Sequence, residues 1–563
     1  MMSRVSPKYE ADAASRMWAS VGRGDYDGPR LTLRTLERWA REDDPHAYAM
    51  YRATTISPEV MENWDKGDYG LGQIAYALLR ETVKKTGPGR GDYYYFDKES
   101  CRWKKVDEGR MKSVACRQLD ETLRDVEIWL AMQASQLQLQ LQSDGDDERR
   151  RMDAKKKEAA NKVAYVRSQR GISNVMGFAG PLLMDEMFEQ RLDSHRNLVG
   201  IKGGGVVDLK TGERRARKPE DMVYNELDVL FPTQEVPAWM HSLMVKTMAG
   251  DEDMARFLQM LLGYGITGEV CEEIFAILTG NGRNGKGLLT QSMQTLLGNF
   301  YREMNCATIS DSRVCSNIDA ERAKLQGARI AVFSELRPGE KLKTNEVQLL
   351  TGGDGIPAKA LYKDPITIQP QHLAILATNY LPEMSPVIMA MVERTLCVEF
   401  PVSFRDLMPG EEETQKLRQC DKTLKERMKS VEGQEALFAW LVEGAVAWYA
   451  AFATGTSLKR LAPLKVREAT RKYLEDQDRL RAFLQEHCEF GEELKESGSD
   501  MYDRYLSTVD AELGNVSRQS FHQQMKSKGF EKKNVRLPDQ GVVKGYEGLA
   551  LKPAATMPDE LDG

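Results

Sequence analysis

Residues 274–287 read Ile-Phe-Ala-Ile-Leu-Thr-Gly-Asn-Gly-Arg-Asn-Gly-Lys-Gly, an apolar run that enters a glycine-rich loop closed by a lysine. Gly280, Gly282 and Gly285 free the backbone to turn its N–H groups inward, and Lys286 brings a cation to the β/γ-phosphates of a nucleotide. Asn281, Arg283, Asn284 and Gly287 complete the candidate cradle. Alone, Gly-x4-Gly-Lys is modest evidence. The strand-like run before it and the helical spacing behind it, Leu288-Leu289…Met293…Leu296-Leu297 with Gly298 as the stop, make the case. Gly287 stands where a Ser or Thr hydroxyl ordinarily ligates Mg²⁺, so either water takes that position or Thr290 does.

Further along, Arg329-Ile-Ala-Val-Phe-Ser334-Glu335 is an apolar strand that delivers an acid at its carboxyl end, where α/β sheets hold their ligands. Glu335 can polarise an attacking water or hold Mg²⁺ through water. The residue before it, often acidic in such enzymes, is Ser334, so the metal site carries less charge than usual. A second apolar strand, Leu373–Ala377, leads to Asn379, whose amide can contact the γ-phosphate or its water. Arg394 follows, just ahead of the apolar Leu396–Phe400. Taken singly, Glu335 and Asn379 read as strand-end caps and Arg394 as a surface ion pair. Their order behind the glycine loop assembles them into one site.

These residues need an α/β framework, and the alternation of strand and helix from about residue 239 to 402 supplies a parallel sheet. At 563 residues the chain exceeds one core, and its 41% hydrophobic and 29% charged content is that of a soluble globular protein. No run of about eighteen apolar residues and no apolar leader is read, which predicts a soluble intracellular protein without a membrane span. Eight scattered cysteines make zinc ribbons and disulfide frameworks unlikely as an architecture, and a net charge of −6 confines any nucleic-acid contact to a channel or one small domain.

Five segments are expected. Residues 1–57 form a helical module with Trp18, Leu31, Leu33, Leu36, Trp39 and Tyr48 as core, and 58–170 a mostly helical region with a short β-run at 92–96. Residues 171–238 form a small β-containing domain, 239–402 the nucleotide domain, and 403–563 a helical region with a winged helix at its end. The winged helix rests on a helix over Ser517–Gly529 and two strands within Asn534–Leu551. Its basic residues Lys526, Lys528, Lys532, Lys533 and Arg536 are candidates for DNA contact. The acidic-then-basic block 143–157 reads as a solvated helix-loop-helix tip.

Gly327-Ala-Arg-Ile…Ser334-Glu-Leu, Leu350-Thr-Gly-Gly-Asp…Ala358-Lys-Ala-Leu-Tyr-Lys-Asp-Pro365, Ala377-Thr-Asn-Tyr-Leu-Pro and Glu393-Arg-Thr resemble the superfamily 3 helicases. The branch is that of the poxvirus-type primase-helicases of phages, plasmids and large DNA viruses. The motif match covers about residues 270–402, with weaker similarity on both sides. The resemblance implies an AAA+-like P-loop core in a homo-hexameric ring that moves 3′→5′ on single-stranded DNA and opens forked DNA, using ATP and Mg²⁺. It makes Lys286 the phosphate lysine, Glu335 the Walker B acid, Asn379 the sensor and Arg394 an arginine finger that serves the neighbouring subunit. Between the acid and sensor strands it implies a channel hairpin, with Lys359, Tyr362 and Lys363 on DNA.

The aspartate pairs 25/27, 144/146 and 251/253 all lie in polar loops, so a priming nucleotidyl-transfer site is not expected here and a separate primase and a DNA polymerase are the implied partners. Two other functions stay open: another P-loop DNA motor or remodeller, and a non-catalytic winged-helix DNA-binding initiator. Gly287 and Ser334 are the support for the second.

Overall fold

The computed structural model describes residues 40, 42–87, 93–140, 146–230, 235–311, 315–334, 336–361, 364–384, 387–508 and 517–553. Glu335, Tyr362, Lys363 and the expected core residues Trp18 to Trp39 lie outside the described residues. The chain divides into two compact units, Met1–Ser194 with Arg217–Tyr224, and His195–Ala216 with Asn225–Gly563. The five expected segments are a finer division than this one.

The first unit is built on two long helices, Glu108–Gln140 and Asp146–Arg167. Met111, Val114, Ala115, Leu119, Leu123, Val126 and Leu130 repeat every three or four residues, so they share one face and bury it with Ala159, Val163 and Val166. A three-stranded antiparallel sheet (Val83–Lys85, Tyr93–Asp97, Arg102–Val106) completes the unit. Side chains alternate across a strand, and here Tyr93 and Tyr95 enter the helical core while Tyr94 and Phe96 pack with Trp103 and Phe188. The expected β-run is present, and Lys155, Lys156 and Lys157 are exposed on their helix, as a solvated face requires.

The second unit carries the predicted parallel sheet. Its strands are β1 (Phe275–Thr279), β2 (Tyr301–Met304), β3 (Ile330–Ser334), β4 (Leu373–Ala377) and β5 (Thr395–Glu399), in the order β5-β1-β4-β3-β2 and parallel throughout. All five residues of β1 are buried, as expected of a central strand covered on both faces. Helix α1 (Lys286–Leu297) follows β1, buries Leu289, Met293, Leu296 and Leu297, and stops at Gly298, whose φ of 49° suits glycine.

On the α1 side lies the helix Glu252–Thr267, capped by Asp251 Oδ1 accepting from the Met254 N–H at 3.0 Å. It packs on Val431–Ala453, and a Cβ at Gly263 would stand 2.3 Å from the Ala445 nitrogen, so only glycine permits this approach. Among the described residues, Val431–Ala453 is one helix long and apolar enough to cross a membrane by length and composition. Gln259 Nε2 donates to the Trp440 carbonyl at 3.0 Å and Trp448 Nε1 to Glu272 at 3.0 Å, the contacts of a core helix.

A small four-stranded sheet (Leu198–Ile201, Gly205–Asp208, Arg214–Ala216, Glu226–Leu227) precedes the core in sequence, in the stretch where a small β-containing domain was expected. Buried Arg329 joins it to the parallel sheet, its guanidinium donating to the carbonyls of Arg196, Leu198 and Ile266 at 3.1, 2.8 and 2.6 Å. At the C-terminus, α2 (Leu464–Gln477) and α3 (Arg479–His487) lead into β6 (Cys488–Ser497), α4 (Gly498–Thr508), α5 (Arg518–Ser527), β7 (Lys533–Leu537) and β8 (Gly541–Leu551). The expected helix and strand pair are thus present, and β6, which was not expected, pairs antiparallel with β8.

Candidate active site

The loop between β1 and α1 takes backbone angles that explain its sequence. Gly280, Gly282 and Gly285 have φ of 150°, 80° and 88°. Gly280 is also required by space, because a Cβ there would meet Asn284 Nδ2 at 2.3 Å and the Phe400 carbonyl at 2.5 Å. Arg283 has φ of 50°, strain that the Phe404 N–H supports by donating to the Arg283 carbonyl at 2.8 Å. Asn281 and Arg283 are exposed, whereas Asn284 is buried and its Nδ2 has no hydrogen-bond partner among the described residues.

Lys286 sits in the first turn of α1 and is only 6% exposed. The loop folds over its stem and takes it out of solvent. Its ammonium donates to the Gly280 carbonyl at 2.9 Å and to Asn379 Oδ1 at 3.0 Å. No carboxylate pairs with it among the described residues, and burial pushes its pKa down to about 8. A buried cation held by two neutral oxygens is an electrostatically incomplete site, which a phosphate completes.

The sheet register aligns the other partners. Leu278 pairs with Ala377, and Ala377 with Ser334, so the strands end in one row along the carboxyl edge. Two residues past Ala377, exposed Asn379 arrives level with Gly280. Glu335, next to Ser334 in the sequence, lies outside the described residues.

Where an acid was missed at position 334, the structure brings one from a neighbouring strand. Ser334 Oγ donates to Glu303 Oε1 at 3.2 Å, across the β3–β2 pair. Nothing in the local sequence marks Glu303, because lateral strand order makes the contact. A Cβ at Gly287 would meet no atom within 4 Å, so the missing hydroxyl leaves open space. Thr290 Oγ1 donates to the Gly287 carbonyl at 3.2 Å, which ties that hydroxyl to its own helix. Among the described residues no cluster of His, Cys, Asp and Glu forms a metal cage.

Arg394 is not brought to this row. It ends the helix Met389–Arg394 and enters β5, whose first residue pairs with Phe275 at the start of β1. Its guanidinium pairs with Glu273 at 2.5 Å and donates to the Ala390 carbonyl at 3.1 Å. Arg394 and the glycine loop thus stand at opposite ends of the same strand pair, about 16 Å apart for five residues at roughly 3.3 Å each.

A family model described as D5 N terminal like matches residues 72–261, and one described as a family of unknown function (DUF5906) matches residues 278–389. The chain is 25% identical over 391 residues to a protein provisionally designated helicase L207/L206 of Acanthamoeba polyphaga mimivirus, covering 67% of this chain and 38% of that protein. It is 25% identical over 290 residues to 121R of Invertebrate iridescent virus 3, which bears the same provisional designation, covering 48% and 30%. The chain is thus similar to the D5 N terminal like family over residues 72–261 and to proteins provisionally designated as viral helicases. It spans well under half the length of these curated relatives. Among solved structures, the apo C-terminal region of NrS-1 matches at 10% identity and a TM-score of 0.38, over 84% of this chain and 98% of that one.

Between β3 and β4, where a hairpin was expected, lie the antiparallel strands Ile356–Ala358 and Ile366–Ile368. Lys359 is exposed at its base and Leu361 is 61% exposed beside it, while Tyr362 and Lys363 fall outside the described residues. The C-terminal basic cluster is largely engaged. Lys526 pairs with Glu531 at 3.1 Å, Lys533 with Glu547 at 2.9 Å and Lys528 with Asp478, while Lys532 Nζ lies 2.7 Å from His522 Nε2. Arg536 is exposed and has no carboxylate partner among the described residues.

Proposed function

We propose that this chain is the motor portion of an ATP-dependent DNA helicase that assembles as a hexameric ring, translocates 3′→5′ on single-stranded DNA and opens forked DNA during viral, phage or plasmid replication. The observation that carries this reading is the buried Lys286 ammonium, held by Gly280 and Asn379 at the carboxyl edge of a parallel sheet and lacking an anionic partner. The backbone of residues 280–287 cradles the phosphates and Lys286 neutralises them, while Glu335 orients the attacking water and Asn379 steadies it. Glu335 would hold Mg²⁺, directly or through water, and the ion would supply positive charge against the charge developing on the phosphates. The cradle fits that nucleotide, since its glycine backbone and the open face at Gly287 leave room for a hydrated ion.

Arg394 acts on the neighbouring subunit's nucleotide. Its place at the far end of the sheet from its own loop supports action in trans and argues against action in cis. The hairpin carrying Lys359, Tyr362 and Lys363 lines the channel and grips DNA phosphate and base. The order α3-β6-α4-α5-β7-β8, with β8 central in the sheet, supports a winged helix outside the AAA+-like core. A separate primase and a DNA polymerase complete the replication machinery.

Steady-state ATP hydrolysis with and without single-stranded DNA, followed by unwinding of forks with a 3′ or a 5′ tail, tests the reading. Stimulated hydrolysis with opening of 3′-tailed forks is expected. Hydrolysis without unwinding would instead favour another DNA motor or remodeller, and no hydrolysis a non-catalytic initiator.

A further inference from the structure

The motor reading leaves a deficit at the metal. Gly287 offers no hydroxyl and Ser334 no charge at the two protein positions that ordinarily face Mg²⁺ in a glycine-loop site. A single nearby acid, Glu335, would then face the ion together with the phosphates alone.

Strand register identifies a second acid. Glu303 pairs with Val332 on the adjacent strand, and paired residues in a parallel sheet share a face. Ser334, two residues beyond Val332, lies on that face as well. It is the face covered by α1, because Val332 and Tyr301 share one core with Leu289, Met293, Leu296 and Leu297. The Glu303 carboxylate is exposed and reaches forward to the carboxyl edge, where Ser334 Oγ donates to it at 3.2 Å. With its proton committed to Glu303, the Ser334 oxygen presents its lone pairs to the site. A hydroxyl and a carboxylate from two strands thus stand where one carboxylate would otherwise come from position 334.

We propose that Glu303, through Ser334, supplies the second negative charge for the nucleotide-bound divalent cation, acting as a positioning residue on a metal-bound water. The inference rests on the nucleotide-site reading. Partners of this kind typically change metal affinity about 10–100-fold when removed.

Mn²⁺ serves as the probe, with its binding to the protein–ADP complex followed by electron paramagnetic resonance and ADP binding measured separately in EDTA. Glu303→Gln keeps the side chain's shape and an acceptor for Ser334 but removes the charge. It should weaken Mn²⁺ in the ternary complex by about tenfold or more while leaving metal-free ADP affinity and the apo melting temperature unchanged. Ser334→Asp in the Glu303→Gln background returns a carboxylate to the site and should recover Mn²⁺ affinity. That recovery also shows that the single variant was folded. Wild-type Mn²⁺ affinity in Glu303→Gln, with ADP bound, overturns the assignment of Glu303 alone. Failure of the wild-type protein to bind ADP or ATP overturns the nucleotide-site reading beneath it.

Discussion

Lys286 Nζ donates to Asn379 Oδ1 at 3.0 Å, joining the first turn of α1 to the loop that follows β4. The ammonium is buried with neutral partners only, so ligand function is favoured here over stability. Lys286→Met keeps most of the buried stem and removes the uncompensated charge. We expect it to abolish nucleotide binding while the apo melting temperature stays level or rises. A clear fall in melting temperature would show that the lysine stabilises the fold.

The same burial sets a pH dependence. Burial lowers the Lys286 pKa to about 8 in the free protein, and a bound polyphosphate must raise it because the charged form is the one it attracts. Binding is thus linked to proton uptake. Nucleotide affinity should be flat below pH 8 and fall above it, by up to about tenfold per unit. Isothermal titration at pH 8.5 in buffers of different ionisation enthalpy should register the uptake, and its absence would place the lysine pKa well above the working range.

Arg394 is tied to Glu273 at the end of the sheet away from its own loop, so its proposed target is another subunit. Arg394→Ala and Lys286→Ala should each be nearly inactive alone, given that such a finger is worth about 10³–10⁵ in rate in other NTPases. Mixed rings, confirmed with differently tagged chains, contain interfaces that pair an intact loop with an intact finger. Part of the hydrolysis rate should return on mixing. Verified mixed rings without recovery would weigh against action in trans.

The pairing of β6 with β8 sets where the C-terminal module can be removed. A cut at residue 500 would leave β6 without its partner strand, whereas a cut after Asp478 removes α3 through β8 together. The shorter chain should keep basal ATPase activity and lose affinity for DNA, with a shallower dependence on salt. Since most of the module's lysines are already paired, the change in slope should correspond to few phosphate contacts, with Arg536 among them. An identical salt titration for both chains would remove the module from DNA binding.

The local features were legible in the sequence. An apolar run, three glycines and a lysine dictate strand, loop and helix at 275–297 because each residue's backbone preference acts on its own segment. The same holds for the strands ending at Ser334 and Ala377 and for the helix and strand pair near the C-terminus. What the sequence left open were lateral relations. β4 lies between β1 and β3, which sets Asn379 beside Lys286, and β2 lies outside β3, which brings Glu303 to Ser334. The burial of Lys286 and the distance of Arg394 from its own loop arise in the same way. Strand order and register are fixed by contacts between residues far apart in the chain, since a slip of one residue would turn every side chain to the other face. Patterns along the chain record which face of a strand is buried, but only the folded sheet decides which strand lies next to it.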